Sequence, residues 1–163
     1  MTLTECLLND GKILVCATGA SALNAQFFAS ILMNQGECER PALPAVMLDH
    51  SYGTLAAVEN DYGVSDVFAR QVHAFGQPGD VLVVFTRLGV QSNIVNAVTA
   101  AHERDMKVVA LTSHGGGHVA SLMSEGDIEI RLPETSRFRI YENQMLLSFV
   151  LCELIENQLF GGM

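Results

Sequence analysis

Basic side chains are scarce in this sequence. Nine lysines and arginines stand against 18 aspartates and glutamates, leaving a formal net charge of −9. Direct nucleic-acid binding needs a basic face for phosphate contacts, so that class of partner is disfavoured. An acidic surface suits the steering of a basic protein partner instead. Long hydrophobic runs are missing too: 49% of the residues are apolar, yet no run approaches the ~20 residues a membrane span requires. The opening Met1-Thr2-Leu3-Thr4-Glu5-Cys6 lacks the basic start and apolar core of a secretion signal. No Cys-x-x-Cys pair occurs, and Cys6, Cys16, Cys38 and Cys152 are scattered, three of them within apolar patterns. Reduced, buried thiols in a cytoplasmic protein are the expectation. Repeats and low-complexity segments are absent, and 163 residues suffice for one domain with a full core.

What is present is a series of apolar runs separated by helical patterns. The central one is Asp80 to Arg104. Val81 to Phe85 reads as a strand buried on both faces. Thr86-Arg87-Leu88-Gly89-Val90-Gln91 then makes a turn, with Gly89 free to take a positive φ. Gln91 or Ser92 opens a helix on which Ile94, Val95, Val98 and Ala101 recur at helical spacing. Such a loop leaves unpaired N–H groups facing one way, a natural seat for a phosphate.

The rest of the chain repeats this alternation. Residues 2 to 9 read as the end of a helix, Lys12 to Ala17 as the first strand, and Ala22 to about Asn34 as a helix with Ser21 as its N-cap. Ala45 to Leu48 is a short second strand, and Leu55 to Val58 a short helix before an Asn60-Asp61-Tyr62-Gly63 turn. A helix capped by Ser65 or Asp66 runs to Phe75 and closes at Gly76. Lys107 to Thr112 is the fourth strand. The loop His114-Gly115-Gly116-Gly117-His118 precedes a short helix to Ser124, and its glycines give the two histidines no rigid metal-binding spacing. Ile128 to Leu132 alternates like an edge strand, and a long helix from about Arg139 to Leu159 is apolar nearly all round between Met145 and Ile155. This order predicts a parallel sheet with helices on both faces. Its ligand crevice belongs at the strand ends where the winding reverses, which brings Thr18 to Ser21 opposite Thr86 to Gln91 if strand one lies beside strand three.

Several segments carry a family resemblance: Gly11-Lys12-Ile13-Leu14, Ser21-Ala22-Leu23-Asn24-Ala25-Gln26, Glu39-Arg40-Pro41, Asn60-Asp61, Gly79-Asp80-Val81-Leu82, Val109-Ala110-Leu111-Thr112, Arg139-Ile140 and Leu154-Ile155-Glu156-Asn157. The chain resembles the sugar-isomerase (SIS) domain family over essentially its whole length, in the branch of phosphoheptose isomerases and DiaA-like DnaA initiator-associating proteins. Its final Glu156-Asn157-Gln158-Leu159-Phe160 resembles the DiaA-like side more. The resemblance implies an α/β fold: a three-layer α/β/α sandwich around a five-stranded parallel sheet in flavodoxin-like order, assembled as a homotetramer. It implies a single SIS domain over residues 1–163, apparently without the helical arm that precedes the first strand in relatives.

Departures from the family pattern set the functional expectation. The isomerases' first loop, Gly-Asn-Gly-Gly-Ser, is here Ala17-Thr18-Gly19-Ala20-Ser21, and their phosphate loop, Ser-Thr-Ser-Gly-Asn-Ser, is here residues 86–91. The family's metal and acid–base positions, two on the first core helix and two on the last, align with Phe27, Ile31, Tyr141 and Phe149. Isomerisation between adjacent carbons needs a placed base and acid, and Phe and Ile exchange no protons. Zinc belongs to the enzymatic relatives, and its ligands are missing here, so no cofactor is expected. The expectation is therefore a non-catalytic, DiaA-like oligomer, dimer or tetramer, that binds the initiator DnaA through Leu159 and Phe160. Thr18, Ser21, Asn60, Asp61, Thr86, Arg87 and Gln91 are its candidate sugar-phosphate contacts. The alternatives are a sedoheptulose 7-phosphate isomerase, for which Asp61 and Glu142 are the acids nearest the crevice, and a sugar-phosphate sensor.

Overall fold

The computed structural model describes residues 2–48 and 51–161. Its five strands, β1 (Ile13–Ala17), β2 (Ala45–Met47), β3 (Val81–Phe85), β4 (Lys107–Ser113) and β5 (Ile128–Leu132), form one parallel sheet in the order β2-β1-β3-β4-β5. The helices are α1 (Thr2–Leu8), α2 (Ser21–Met33), α3 (Tyr52–Asp61), α4 (Val67–Phe75), α5 (Ser92–Glu103), α6 (Gly117–Leu122) and α7 (Arg137–Phe160), with one 3-10 turn at Val64–Asp66. This is the expected flavodoxin-like α/β sandwich.

Alternation along the strands divides the core. Ile13, Val15, Ala17, Val81, Val83 and Phe85 face a layer built from α1, α2 and α7, where Phe28, Leu32 and Ile155 are buried. Leu14, Cys16, Leu82, Val84, Val108 and Ala110 face α4, α5 and α6, where Phe68, Val72, Ile94 and Val98 are buried. Strands covered on both faces read as continuous apolar runs, which is why their boundaries were legible. Only the Leu55–Val58 middle of α3 was legible, and the helix runs longer, Tyr52–Asp61, because none of its residues is buried and its apolar pattern is sparse. Asn60 and Asp61, read as a turn, end that helix.

All four cysteines are free, and Cys6, Cys16 and Cys152 are buried. Burial raises Cys6 to about 11 and Cys152 to about 12, so neither thiol is a nucleophile near neutrality. Among the described residues no helix is long and apolar enough to cross a membrane. On α7, Leu146, Phe149, Val150 and Leu154 stay exposed, as an unfilled second surface would require.

Two polar clamps hold α7 against α2. At one end, the Arg40–Glu156 ion pair is buried, with Nε donating to Oε1 at 2.6 Å. Arg40 also donates to the carbonyls of Ile31 and Leu32, satisfying the last turn of α2, and Gly36 N–H donates to Glu156 at 2.8 Å. At the other end, Asn24 Nδ2 donates to the Tyr141 carbonyl at 2.9 Å and to Gln144 Oε1 at 3.4 Å. Gln144, fully buried, in turn donates its Nε2–H to the Thr86 carbonyl at 3.4 Å, where β3 gives way to its loop.

Burial opposes the charge on Glu156, but the Arg40 guanidinium and the Gly36 and Glu37 N–H groups outweigh it and hold the carboxyl below its usual range. A depressed carboxylate stabilises the fold above its unfolded pKa and loses that contribution as pH falls through the folded value. Glu156→Gln should therefore cost about 3 kcal/mol near pH 7, since it strands a buried guanidinium. The gap from the unmutated protein should shrink below about pH 4, where the unfolded carboxyl protonates. Urea unfolding at both pH values checks this. Gln144→Leu should cost about 1–2 kcal/mol by the same measurement, through the unpaired Thr86 carbonyl.

Candidate functional site

The β1 and β3 ends lie side by side, Ala17 opposite Phe85, at the point where the strand order turns back on itself. Ligand crevices of open parallel sheets form at such a point. One wall is the β1–α2 loop, in which Thr18 is half-buried and Gly19 takes φ +59°. Beside it a cleft of ≈ 640 Å³ is lined by Gly19, Ala22, Gln26, Met47, Leu48 and Ser51, among others.

Ser21 departs from its expected role. It is the first residue of α2, with Ala20 in the cap position and no side-chain cap. Ala20 already has right-handed helical backbone angles, φ −67° and ψ −21°, so the helix turn begins one residue before a capping serine would allow. Ser21 is 1% exposed.

The opposite wall is the loop of residues 86–91. Thr86 is fully buried; its hydroxyl accepts from Gly89 N–H at 3.0 Å and donates to Gln91 Oε1 at 3.1 Å. Two of the candidate contacts thus brace each other across the loop. Gly89 takes the anticipated positive φ, +66°. Gln91 occupies the cap position of α5 without a side-chain cap bond. Among the described residues, no acceptor takes the backbone N–H of Leu88, Val90, Gln91, Ser92 or Asn93. Arg87 is half-buried, and its guanidinium has no ion-pair or hydrogen-bond partner among those residues. Free N–H groups, a helix N-terminus and an uncommitted guanidinium together suit an anion.

Asn60 and Asp61 are exposed in the last turn of α3 and are not among the residues lining the cleft beside β1. Leu159 packs against the core, whereas Phe160 is 45% exposed. Gln144 and Asn24 escaped the sequence reading, although each is a polar residue on an otherwise buried helix face, which is a usable signal.

Three of the four positions that the resemblance assigns to a metal and an acid–base pair, Phe27, Ile31 and Phe149, meet on a different surface. The rings of Phe27 and Phe149 meet edge to face, centroids 5.3 Å apart at 73°, and Ile31 lines the same pocket. Tyr141 is half-buried, and its carbonyl is taken by Asn24. These side chains do not fit a zinc ion, which needs nitrogen, sulfur or carboxylate donors. No group of three or more potential ligands exists elsewhere among the described residues.

Comparison with known proteins completes the assignment. A family model for the SIS domain matches residues 1–113. The phosphoheptose isomerase of Chromohalobacter salexigens is 47% identical over 160 residues, covering 98% of this chain and 81% of that protein. That of Methylococcus capsulatus is 45% identical over 159 residues, covering 98% and 82%. Among solved structures, the phosphoheptose isomerase of Francisella tularensis superposes with a TM-score of 0.92 at 44% identity, covering 96% of this chain and 82% of that one. The Neisseria gonorrhoeae enzyme gives 0.88 at 42% identity, with the same coverage.

These relatives overturn the expectation of a non-catalytic, DnaA-binding protein. That expectation rested on four side chains and a terminal pentapeptide. The similarity to proteins named as isomerases runs through nearly the whole chain, and none of these relatives carries an initiator-binding name. Lost residues at one locus argue only against chemistry performed by those residues at that locus. The chain belongs to the SIS-domain family, in its phosphoheptose isomerase branch.

Proposed function

We propose that this chain isomerises a phosphorylated heptose of the sedoheptulose 7-phosphate type, converting ketose to aldose. The observation that carries this reading is the near-full-length similarity, at 45–47% identity, to several phosphoheptose isomerases. The 86–91 loop supports it chemically, because its free N–H groups and Arg87 suit the phosphate. In this reading Thr86 and Gln91 shape that loop, Thr18 and Ser21 are contacts from the β1–α2 connection, and Asn60 and Asp61, exposed at the end of α3, reach the sugar hydroxyls.

Moving a proton between neighbouring carbons calls for a general base and acid. The carboxylates this reading offers are Asp61 and Glu142, both exposed, the latter paired with Arg139. No step is assigned to Phe27, Ile31, Tyr141 or Phe149. Turnover of sedoheptulose 7-phosphate by the purified chain is the direct test. Arg87→Ala should raise KM roughly tenfold, the loss expected for one charge-assisted contact. Asp61→Asn or Glu142→Gln should lower kcat by about 10²-fold or more if that carboxylate carries the proton. Binding of the heptose phosphate without conversion, with or without added divalent metal, would remove the isomerase reading and leave the anion seat standing.

The reading includes a homo-oligomer, a tetramer in the family pattern, in a reducing cytoplasm that suits the four free thiols. Leu23 on α2 and Leu146, Phe149 and Val150 on α7 are exposed together on the helical layer, a surface that a lone subunit would leave wet. Light scattering should return a multiple of the chain mass. Leu146→Asp together with Phe149→Asp should shift the assembly toward monomer, and a monomeric unmutated protein would refute the oligomer.

A further inference from the structure

The crevice side of the 86–91 loop has been described; its rear side is held by the connection between β4 and α6. Ser113, the last residue of β4, is fully buried and donates its hydroxyl proton to the Arg87 carbonyl. Val119, in α6, donates its N–H to the Gly89 carbonyl at 3.0 Å. Between these bonds backbone lies directly on backbone. A Cβ added to Gly117 would fall 2.2 Å from the Leu88 carbonyl oxygen, and one added to Gly89 would fall 2.0 Å from that of Gly116. Both glycines also take positive φ, +58° and +66°.

Peptide planarity turns this rear contact into a statement about the front. In a trans peptide unit, the carbonyl and the N–H point in opposite directions, and no cis bond occurs among the described residues. The unit that carries the Arg87 carbonyl also carries the Leu88 N–H, and the unit of the Gly89 carbonyl carries the Val90 N–H. Binding the two carbonyls to β4 and α6 therefore turns the two N–H groups away from those elements. Both are among the donors without an acceptor.

We propose that Ser113 and Gly117 are positioning residues for the anion site: Ser113 anchors the Arg87 carbonyl from behind, and Gly117, having no Cβ, lets α6 lie close enough for the Val119 N–H to anchor that of Gly89, which together fix the direction of the Leu88 and Val90 N–H donors and so set the affinity for the phosphate of the sugar phosphate. This rests on the reading of residues 86–91 as the phosphate seat. It also assigns a purpose to the glycine run after β4, which contributes no side chain to the crevice. The run lets one loop lie flat against the other.

The experiment is calorimetric titration of the full chain with sedoheptulose 7-phosphate and with inorganic phosphate, alongside amide NMR. Ser113→Ala removes the donor to Arg87 with almost no change of volume, and should weaken binding of both probes roughly tenfold, the worth of one well-aimed bond to a charged group. Gly117→Ala should weaken it at least as much. Gly115→Ala is the control: its φ is +83° but an added Cβ meets nothing within 4 Å, so it shares the backbone strain without the collision and should bind within about twofold of the unmutated chain. Phosphate should shift the Leu88 and Val90 amide signals in the unmutated protein, and the Leu88 shift should shrink in Ser113→Ala. A merely structural role would lower the melting temperature of Ser113→Ala without touching the dissociation constant or that amide shift, and that result overturns the proposal. If Gly117→Ala does not fold, Ser113→Ala decides alone. Failure of the unmutated chain to bind either probe overturns the phosphate seat itself and this inference with it, whereas binding unchanged by Ser113→Ala overturns only the positioning role.

Discussion

A sheet covered on both faces gives its polar chemistry only one outlet, the ends of its strands. Every residue of β1 and β3 is buried, so neither strand offers a functional side chain along its length. The N–H and carbonyl groups of both are spent on the ladders that join them to each other and to β2 and β4. Past Ala17 and Phe85 the ladder stops, and the chain must find other partners for its backbone or present it to a ligand. The order β2-β1-β3 makes both strands stop at the same place while their connections depart in opposite directions. A crevice follows from that arrangement before any particular residue is chosen to line it.

How α2 and α7 meet determines what the crevice can contain. Their contact is pinned by Asn24 and Gln144 near the crevice and by Arg40 and Glu156 at the far end of α2. Buried polar groups of this kind tolerate little sliding, because any displacement strands a donor or a charge. Between the clamps, the exposed edge of the seam carries Phe27, Ile31 and Phe149. The same rigid seam that fixes the Thr86 carbonyl through Gln144 therefore holds an aromatic pair where relatives are expected to hold polar groups. Under the proposed isomerase reading, recognition of the phosphate and proton transfer on the sugar would therefore be separable: the first would rest on β3 and its loop, and the second would have to come from outside the α2–α7 aromatic pair.

The sequence revealed the sheet because burial on both faces leaves an unbroken apolar run, and Val81 to Phe85 could hardly be anything else. Gly89 was readable for a local reason, since the turn demanded a left-handed residue and only one glycine was there. The failures have a common cause in tertiary contact. Ser21 looked like a cap, but Ala20 adopts helical angles and takes that position, leaving Ser21 buried at the crevice. The engagement of the Thr86 hydroxyl by Gly89 and Gln91 within its own loop likewise had no signal in the sequence. Ser113 and Gly117 drew no attention because their partners, Arg87 and Leu88, are more than 20 residues away in the chain. The functional expectation failed differently. It weighed four substituted positions against the rest of the chain, and whole-chain similarity to isomerases outweighed them.

These particulars bear on what kind of anion seat the 86–91 loop would make under the proposed reading. A loop rich in free hydroxyls can adapt to its ligand, since each hydroxyl rotates to suit the acceptor. Here the Thr86 hydroxyl and the Gln91 carboxamide are occupied with each other, so the donors that remain are chiefly peptide N–H groups. Those cannot rotate independently; their directions are those of the peptide planes, and the planes are set by what grips the carbonyls behind them. Affinity in such a seat is decided by preorganisation and not by the number of hydroxyls, because a correctly aimed rigid donor loses little freedom when the ligand arrives. The loss of the family's serines and threonine from residues 86–91 is therefore compatible with a working phosphate seat, provided the backbone is held from the rear. The close contact of Gly89 and Gly117 with the neighbouring backbone supplies that hold.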